Sequence, residues 1–323
     1  MVASGFQFMQ GVIDETGALL AEKEFTDFRP LAEDVVFTAV LDGRLPNDGK
    51  WGAATIVPLF NKEKLAGIRV QRSGCEKSYG LQIFADHALD ILLAAELLDA
   101  DEDPQQKKKL TWEVRVRACD REPQKKRLTA TLAYAPFPVT DGTLSGLGID
   151  AAGRQPDVWI SAPLLAELRE SAAANLECER AHFLAGRVVT EHGKPAVVLS
   201  DGFPAEIATG SSATHFGFSP GTFAAASREA QRRNDGLAIL GWAHNHPPSC
   251  RRDCLAVVPP CKSENLFFSG PDRAVHRAGF SAPYAVALVA GKAAGRRADD
   301  PEIRAYGWRD GVIVEKSFCS FGG

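Results

Sequence analysis

Two histidines separated by one residue are the first feature of this sequence that could do chemistry. They lie in the segment His244-Asn245-His246-Pro247, directly after the apolar run GLAILGWA, residues 236–243. Side chains two residues apart on a strand point to the same side, so both imidazoles can reach one ion. Imidazole is a common ligand of zinc, and a catalytic zinc takes three protein ligands and keeps a fourth position open for water.

The third ligand should be a carboxylate on a nearby rigid element, and the segment 269–272 (SGPD) supplies one. Ser269 has the side chain of a helix N-cap, Pro271 suits the first helical turn, and Asp272 then lies at the helix start. His276 is four residues after Asp272, on the same helical face, where it either supports a ligand or is simply packed. The pattern predicts a zinc site formed by His244, His246 and Asp272.

If such a zinc activates its water for catalysis, a general base that is not a metal ligand must take the proton from that water. Glu179, just before the predicted strand AHFLAGRVV (residues 181–189), is the best candidate. Glu177 is the alternative, because it lies two residues earlier and would face the same side of an extended chain.

Taken together, these residues resemble the JAMM motif of the JAB1/MPN/Mov34 metalloproteases, and in particular the prokaryotic deubiquitinase-like members. Three further segments are similar to the family: Leu184-x-Gly186, Gly241-Trp242-x-His244 and Ala305-Tyr306-Gly307-Trp308. The position of Gly186, seven residues after Glu179, favours Glu179 as the base. The resemblance covers about residues 155–316 and implies an α/β (α+β) fold, with an MPN domain whose mixed central sheet is flanked by helices in a cytidine-deaminase-like arrangement.

The resemblance also implies an activity. In the family, zinc held by the equivalents of His244, His246 and Asp272 activates a water, and the glutamate takes its proton and returns it to the leaving amine. The Ser269 hydroxyl would donate a hydrogen bond to the developing oxyanion. Such enzymes cleave after the C-terminal glycine of ubiquitin-like proteins, so the expected partners are a ubiquitin-like protein or its conjugate and its activating and conjugating enzymes. The alternative from another class is a catalytically silent MPN-like scaffold that binds partner proteins.

The sequence departs from the family pattern in two places. Position 245 is Asn where Ser or Thr is usual, and we expect this position, which is not a ligand, to be tolerant. The connection between His246 and Ser269 is much longer than in the family and contains an insertion, residues 248–266. The insertion carries Cys250, Cys254 and Cys261, which either bind a second, structural zinc or are free thiols; their spacing is not a standard zinc signature.

The rest of the chain divides into an accessory α+β part, residues 1–150, and the JAMM-like part, residues 151–323. Residues 34–84 are predicted to form strands, in the runs DVVFTAVL, GAATIVPLF, AGIRVQR and YGLQIF. A helix is expected after Asp86, and further strands over residues 110–118 and 127–135. Residues 136–156 are expected to be a linker. In the second part the patterns predict helices over 162–175, over 222–233 and from about Ser269.

Composition and charge exclude several classes of protein. The chain has 323 residues and a formal charge of -4, so no basic excess marks a nucleic-acid binder. The most apolar runs are too short to cross a bilayer. The chain has seven cysteines, an odd number, which favours reduced thiols and therefore a cytoplasmic protein. A zinc nucleotide deaminase is also excluded, because that chemistry needs His-x-Glu and Pro-Cys-x-x-Cys.

Overall fold

The computed structural model describes most of the chain. The described residues are 2–14, 16–95, 111–118, 136–151, 153–191, 193–205, 218, 220–233, 236–248, 264–297 and 299–322. The helices are α1 (Arg29–Leu41), α2 (Ala85–Ala94), α3 (Ala162–Ala174), α4 (Pro220–Arg233) and α5 (Gly270–Gly279). The strands of the first part are β1 (Val2–Ser4), β2 (Phe6–Ile13), β3 (Leu19–Phe25), β4 (Ala54–Asn61), β5 (Lys64–Arg72), β6 (Cys75–Gly80), β7 (Thr111–Ala118) and β8 (Val139–Thr140). Those of the second part are β9 (Val158–Ser161), β10 (Ala181–Glu191), β11 (Lys194–Ala205), β12 (Ala238–Asn245), β13 (Val286–Gly291), β14 (Glu302–Arg309), β15 (Val312–Lys316) and β16 (Phe318–Phe321).

The strands form two smaller sheets in the first part and a large sheet in the second. The smaller sheets have the orders β1-β4-β5-β6 and β3-β2-β7. The large sheet has the order β15-β14-β13-β12-β10-β11-β9-β16, with β8 added beside β10. Parallel and antiparallel pairs are mixed in it, and helices cover its faces, which agrees with the predicted α+β class.

The large sheet curls until its two terminal strands meet. Only Ser317 separates β15 from β16, although these strands stand at opposite ends of the strand order. Consecutive Cα atoms are about 3.8 Å apart, so the two sheet edges must approach closely at this point. Asp157 holds the junction, because its carboxylate accepts hydrogen bonds from the Ser317 amide at 2.9 Å and from the Ser317 hydroxyl at 2.8 Å.

Two motif glycines lie where strands of the large sheet approach most closely. A Cβ atom at Gly241 of β12 would overlap the carbonyl of Val286 on β13, and one at Gly186 of β10 would overlap the carbonyl of Val198 on β11. Both positions therefore require glycine for steric reasons within the sheet.

The first predicted strand, DVVFTAVL at residues 34–41, is wrong, because these residues form the second half of α1. The helix is apolar on two sides. Val35 packs in the core of the small sheets, whereas Val36 and Phe37 pack in the core under the large sheet. Because two sides are apolar, the stretch contains only Asp34 and Thr38 as polar residues, and its β-branched residues are typical of a strand.

Three other expectations need correction. The run YGLQIF ends as a strand at Gly80 and continues as a 3-10 turn, Leu81–Phe84. Asp86 lies inside the first turn of α2 rather than preceding the helix. Part of the expected linker is packed, since β8 pairs with β10 and Phe137 is buried. The predicted strand at 127–135 lies outside the described residues.

The elements that carry the candidate site were predicted correctly. The helices over 162–175, over 222–233 and after Ser269 are α3, α4 and α5, and the strands around the histidines are β10 and β12. Among the described residues, no helix has the length and apolar character needed to cross a bilayer.

Candidate metal centre

The end of β12 delivers both histidines to one point. His244 pairs in register with Val289 of β13, and its side chain is fully buried. Its ring stacks on Trp242, with ring centroids 4.6 Å apart and planes 19° from parallel. His246 follows the strand directly and is nearly buried as well. The spacing of two residues therefore places both rings on one side, as the sequence predicted.

The start of α5 delivers the carboxylate. Ser269 is the N-cap, and its hydroxyl oxygen accepts a hydrogen bond from the Asp272 amide at 3.2 Å. In return, the Asp272 carboxylate accepts one from the Ser269 amide at 2.8 Å. This reciprocal capping box fixes the aspartate side chain at the helix start, with only a small exposed fraction.

Three ligand atoms converge in this site. The Nε2 atoms of His244 and His246 are 2.8 Å apart, and they lie 3.1 Å and 3.3 Å from the two oxygens of Asp272. For an ion with bonds of about 2.0–2.1 Å in tetrahedral geometry, the ligand atoms are separated by about 3.3 Å. The two His–Asp separations, each to a different carboxylate oxygen, are close to this value, and the His–His separation is shorter. Two imidazoles and one carboxylate are also the chemistry that a catalytic zinc uses, so the residues fit that ion.

The tautomer of His246 makes its Nε2 atom available as a metal ligand. Its Nδ1 lies 2.8 Å from the carbonyl oxygen of Asn265. A carbonyl oxygen only accepts, so Nδ1 carries a hydrogen and the lone pair of a neutral His246 is on Nε2. That lone pair faces Asp272 and the Nε2 of His244. A proton or a metal ion between these atoms relieves the repulsion of lone pairs that face each other.

The electrostatics of the site agree with this account. Burial alone would raise the pKa of the Asp272 carboxyl, but the two imidazoles hold it far below its usual range. Burial lowers the pKa of His246, yet the Asp272 carboxylate outweighs it, so the net shift is upward. Burial dominates at His244 and lowers its pKa. The two imidazoles therefore keep the Asp272 carboxylate ionised, the form in which it can bind a metal ion.

Asn265 is a supporting residue that the sequence patterns did not reveal. Its amide donates to the carbonyls of His246 and Pro247, both at 2.8 Å, and its side-chain oxygen accepts from the Lys292 amide at 2.6 Å. The backbone carbonyl of Asn265 also accepts the hydrogen bond from Nδ1 of His246. One side chain thus ties the segment after β12 to β13, and no spacing rule marks an isolated asparagine for this role.

Glu179 lies beside the metal centre at the start of β10. The pairing of β10 with β12 aligns Ala181 with His244, which brings the preceding residues next to the histidines. Glu179 is buried, and its negative charge contributes to raising the pKa of His246. Glu177, the alternative base, is exposed. The burial and the charge interaction favour Glu179 as the residue that faces the site.

Asn245 fastens the segment that carries Glu179. Its side-chain amide donates to the carbonyls of Asn175 and Cys178, at 2.8 Å and 3.2 Å. Its side-chain oxygen accepts from the Arg180 amide at 2.6 Å. The expectation that position 245 tolerates other residues considered only metal ligation. The Asn245 side chain, however, makes three hydrogen bonds to the backbone of residues 175–180.

His276 supports His244 indirectly. It is fully buried, and its Nδ1 accepts a hydrogen bond of 3.2 Å from the indole of Trp242, which stacks on His244. Burial lowers the pKa of His276 to about 3, so the ring stays neutral and keeps this acceptor. Of the two roles considered for His276, the structure shows a packed residue that also positions Trp242.

The second predicted metal site stays a prediction. Cys250, Cys254 and Cys261 all lie outside the described residues. Among the cysteines that the structure describes, Cys75, Cys178 and Cys319 are free thiols.

Comparison with known proteins yields little beyond this geometry. No family model and no curated protein matches the chain. A solution structure of a protein from Desulfitobacterium hafniense is similar at 17% identity and a TM-score of 0.36, over 51% of this chain and 94% of that one. Another, from Salinibacter ruber, is similar at 18% identity and a TM-score of 0.28, over 50% and 90%. Similarity at this level says nothing about activity.

Proposed function

We propose that this protein is a zinc-dependent amide hydrolase of the JAMM type, with an MPN-like fold over residues 151–323. One observation carries the proposal: ligand atoms of the buried His244 and Asp272 and of the partly buried His246 lie within 4.8 Å of one another. The buried Glu179 next to them supplies the acid–base group that hydrolysis needs. A scaffold that only binds partners would have no use for this combination, because buried ionisable groups cost stability.

The roles proposed for the residues combine the motif resemblance with their contacts. When bound, zinc supplies a Lewis acid that lowers the pKa of a water to about 7. Glu179 accepts the proton of that water on a carboxylate oxygen and returns it to the leaving amine. The Ser269 oxygen already accepts from the Asp272 amide, so its O–H hydrogen remains to donate to the oxyanion. His244, His246 and Asp272 would hold the ion.

The proposed substrate is a ubiquitin-like protein joined through its C-terminal glycine to a target or to a propeptide. This part rests on the motif resemblance, as do the proposed activating and conjugating enzymes as partners. The free thiols of Cys75, Cys178 and Cys319 support a reducing, cytoplasmic setting.

The test measures metal content and cleavage separately. The wild-type chain should bind one zinc at this centre, and His244→Ala should abolish that binding, because two ligands do not form a stable site. Glu179→Gln should retain zinc but slow cleavage of a ubiquitin-like fusion by about 10²- to 10⁴-fold, the contribution of a positioned acid–base group.

Glu177→Gln is the matched control, since it makes the same chemical change at an exposed position two residues away. It should leave both zinc content and cleavage unchanged. A wild-type chain that binds no zinc would overturn the proposal. Zinc binding with no cleavage of any ubiquitin-like fusion would favour the scaffold, and full activity in Glu179→Gln would mean that another residue is the base.

A further inference from the structure

The helix that carries Asp272 is held by a residue of the first part of the chain. Asp86, in the first turn of α2, forms ion pairs with two arginines of α5. One carboxylate oxygen lies 2.8 Å from Arg273 and the other lies 2.9 Å from Arg277. The arginines are four residues apart, so they lie on one face of α5 and Asp86 bridges them.

This bridge is largely removed from water. The exposed fraction of the side chain is 12% for Asp86, 11% for Arg277 and 21% for Arg273. A charge pair at this depth differs from a surface ion pair, because loss of one partner leaves buried charges that water screens poorly. Without the Asp86 carboxylate, Arg273 and Arg277 would lose the partner that bridges them, although the carboxyl group of Asp90 also interacts with both arginines.

Further contacts from the first part reach the same helix. Arg29, at the start of α1, donates a hydrogen bond of 3.2 Å to the carbonyl of Arg277. Ser281, just after α5, donates one of 3.0 Å to Glu33 of α1. The helix is therefore fixed from α1 and α2 along its length, while its N-terminal end presents the metal ligand.

We propose that residues 1–95 act as a positioning element of the metal centre, and that Asp86 sets the affinity for the ion by fixing α5. This inference rests on the proposed function, because it concerns the same three ligands. Arg273 directly follows Asp272, so a displacement of Arg273 moves the ligand with it. Metal–ligand distances must be correct to within about 0.2 Å, so a small shift of α5 weakens binding.

The coupling is reciprocal by thermodynamic linkage. If docking of α2 on α5 strengthens metal binding, then the metal ion strengthens that docking to the same degree. Zinc should therefore raise the melting temperature of the intact chain more than that of a variant without the bridge.

The test uses the full chain and Zn²⁺ alone, with the dissociation constant measured by competition with a chromophoric chelator well below the melting temperature. Asp86→Asn keeps the shape of the side chain and removes its charge. We expect Zn²⁺ to bind about 10- to 100-fold more weakly, the usual effect of losing a residue that orients a ligand. The rise in melting temperature on adding Zn²⁺ should shrink in parallel.

Lys77→Met is the control, because Lys77 also links the two parts, through Asp34 and Asp310, but does not touch α5. It should leave the dissociation constant unchanged even if it lowers the melting temperature. If Asp86→Asn does not fold, Arg277→Gln replaces it, with the same expectation.

An unchanged dissociation constant in the folded Asp86 or Arg277 variant would overturn the inference alone. Equal weakening in Lys77→Met would overturn it too, because the effect would then be general destabilisation. Failure of the wild-type chain to bind Zn²⁺ would instead overturn the proposed function, and the inference with it.

Discussion

At the residue scale, the His246 side chain is fixed at both ring nitrogens. Nδ1 donates to the carbonyl of Asn265, and Nε2 faces Asp272 and His244. These two contacts fix the ring so that Nε2 faces the other two candidate ligands. At low pH a proton occupies this ring, and a metal ion must displace it.

Zinc affinity should accordingly depend on pH. The carboxylate of Asp272 raises the pKa of His246, so this group binds a proton more readily in the folded protein than free histidine does. Below that raised pKa, each fall of one pH unit should weaken zinc binding by up to about tenfold for every proton displaced. Above it, affinity should level off. Chelator competition between pH 5 and 8 measures the profile, and a flat profile across this range would contradict it.

Asn245 allows a prediction about the segment that carries Glu179. Asn245→Asp places a second acceptor opposite the carbonyls of Asn175 and Cys178, where the amide now donates. The loss of two buried hydrogen bonds should reduce the free energy of unfolding by about 1–3 kcal/mol. Cleavage should slow as well, whereas zinc content should hold, since neither ligand ring is altered.

Urea denaturation and metal analysis measure these effects. Asn175→Asp is a suitable control, because its side chain belongs to the same loop but bonds only to Ser171 and Arg180. If Asn245→Asp unfolds at the wild-type urea concentration, the fastening role is wrong.

At the scale of elements, local signals predicted the parts of the site that depend on neighbouring residues. The N-cap at Ser269, the proline after it and the aspartate at the third helical position define the start of α5 within four residues. The alternation of His244 and His246 on β12 is equally local. Such signals succeed because the physical interaction and the sequence pattern span the same short stretch.

The predictions that failed concern elements and side chains whose structure depends on residues distant in the sequence. Nothing within residues 34–41 shows that two different cores enclose this segment, which is why so few of its residues are polar. The supporting roles of Asn245 and Asn265 likewise follow from loops that only the fold brings near. Charge and spacing could not assign Asp86 either, since its partners are 187 and 191 residues away in the sequence.

The contact between β12 and β13 gives a prediction at this scale. A methyl group at Gly241 would meet the Val286 carbonyl, so Gly241→Ala must push the two strands apart. We expect a loss of about 1–3 kcal/mol in the free energy of unfolding, with weaker zinc binding because His244 moves with its strand. Gly279→Ala is the control: a Cβ atom there meets nothing within 4 Å. Urea denaturation of both variants measures the effect. Equal free energies of unfolding for Gly241→Ala and Gly279→Ala would contradict the strand-packing argument.

At the scale of the whole molecule, the two parts of the chain are joined by shared packing as well as by ion pairs. α1 contributes to the core of the small sheets and to the core beneath the large sheet, and its Phe37 ring contacts Tyr284 of the second part with centroids 5.5 Å apart. Cutting between the parts would expose apolar surface on both sides. The metal centre therefore lies in a framework to which residues from nearly the whole described chain contribute.

The junction at Ser317 has a consequence for biosynthesis. β9 receives one of its neighbours, β16, from a segment about 160 residues further along the chain. Strand pairings between segments so distant in sequence form late in folding. The chain must first lose the entropy of closing a long loop, and only then do the strands make stabilising contacts. On the ribosome, β9 must wait until residue 321 has emerged, long after both histidines and Asp272 have been synthesised. The ligands of the metal centre thus exist in the nascent chain before the sheet that holds them can be completed.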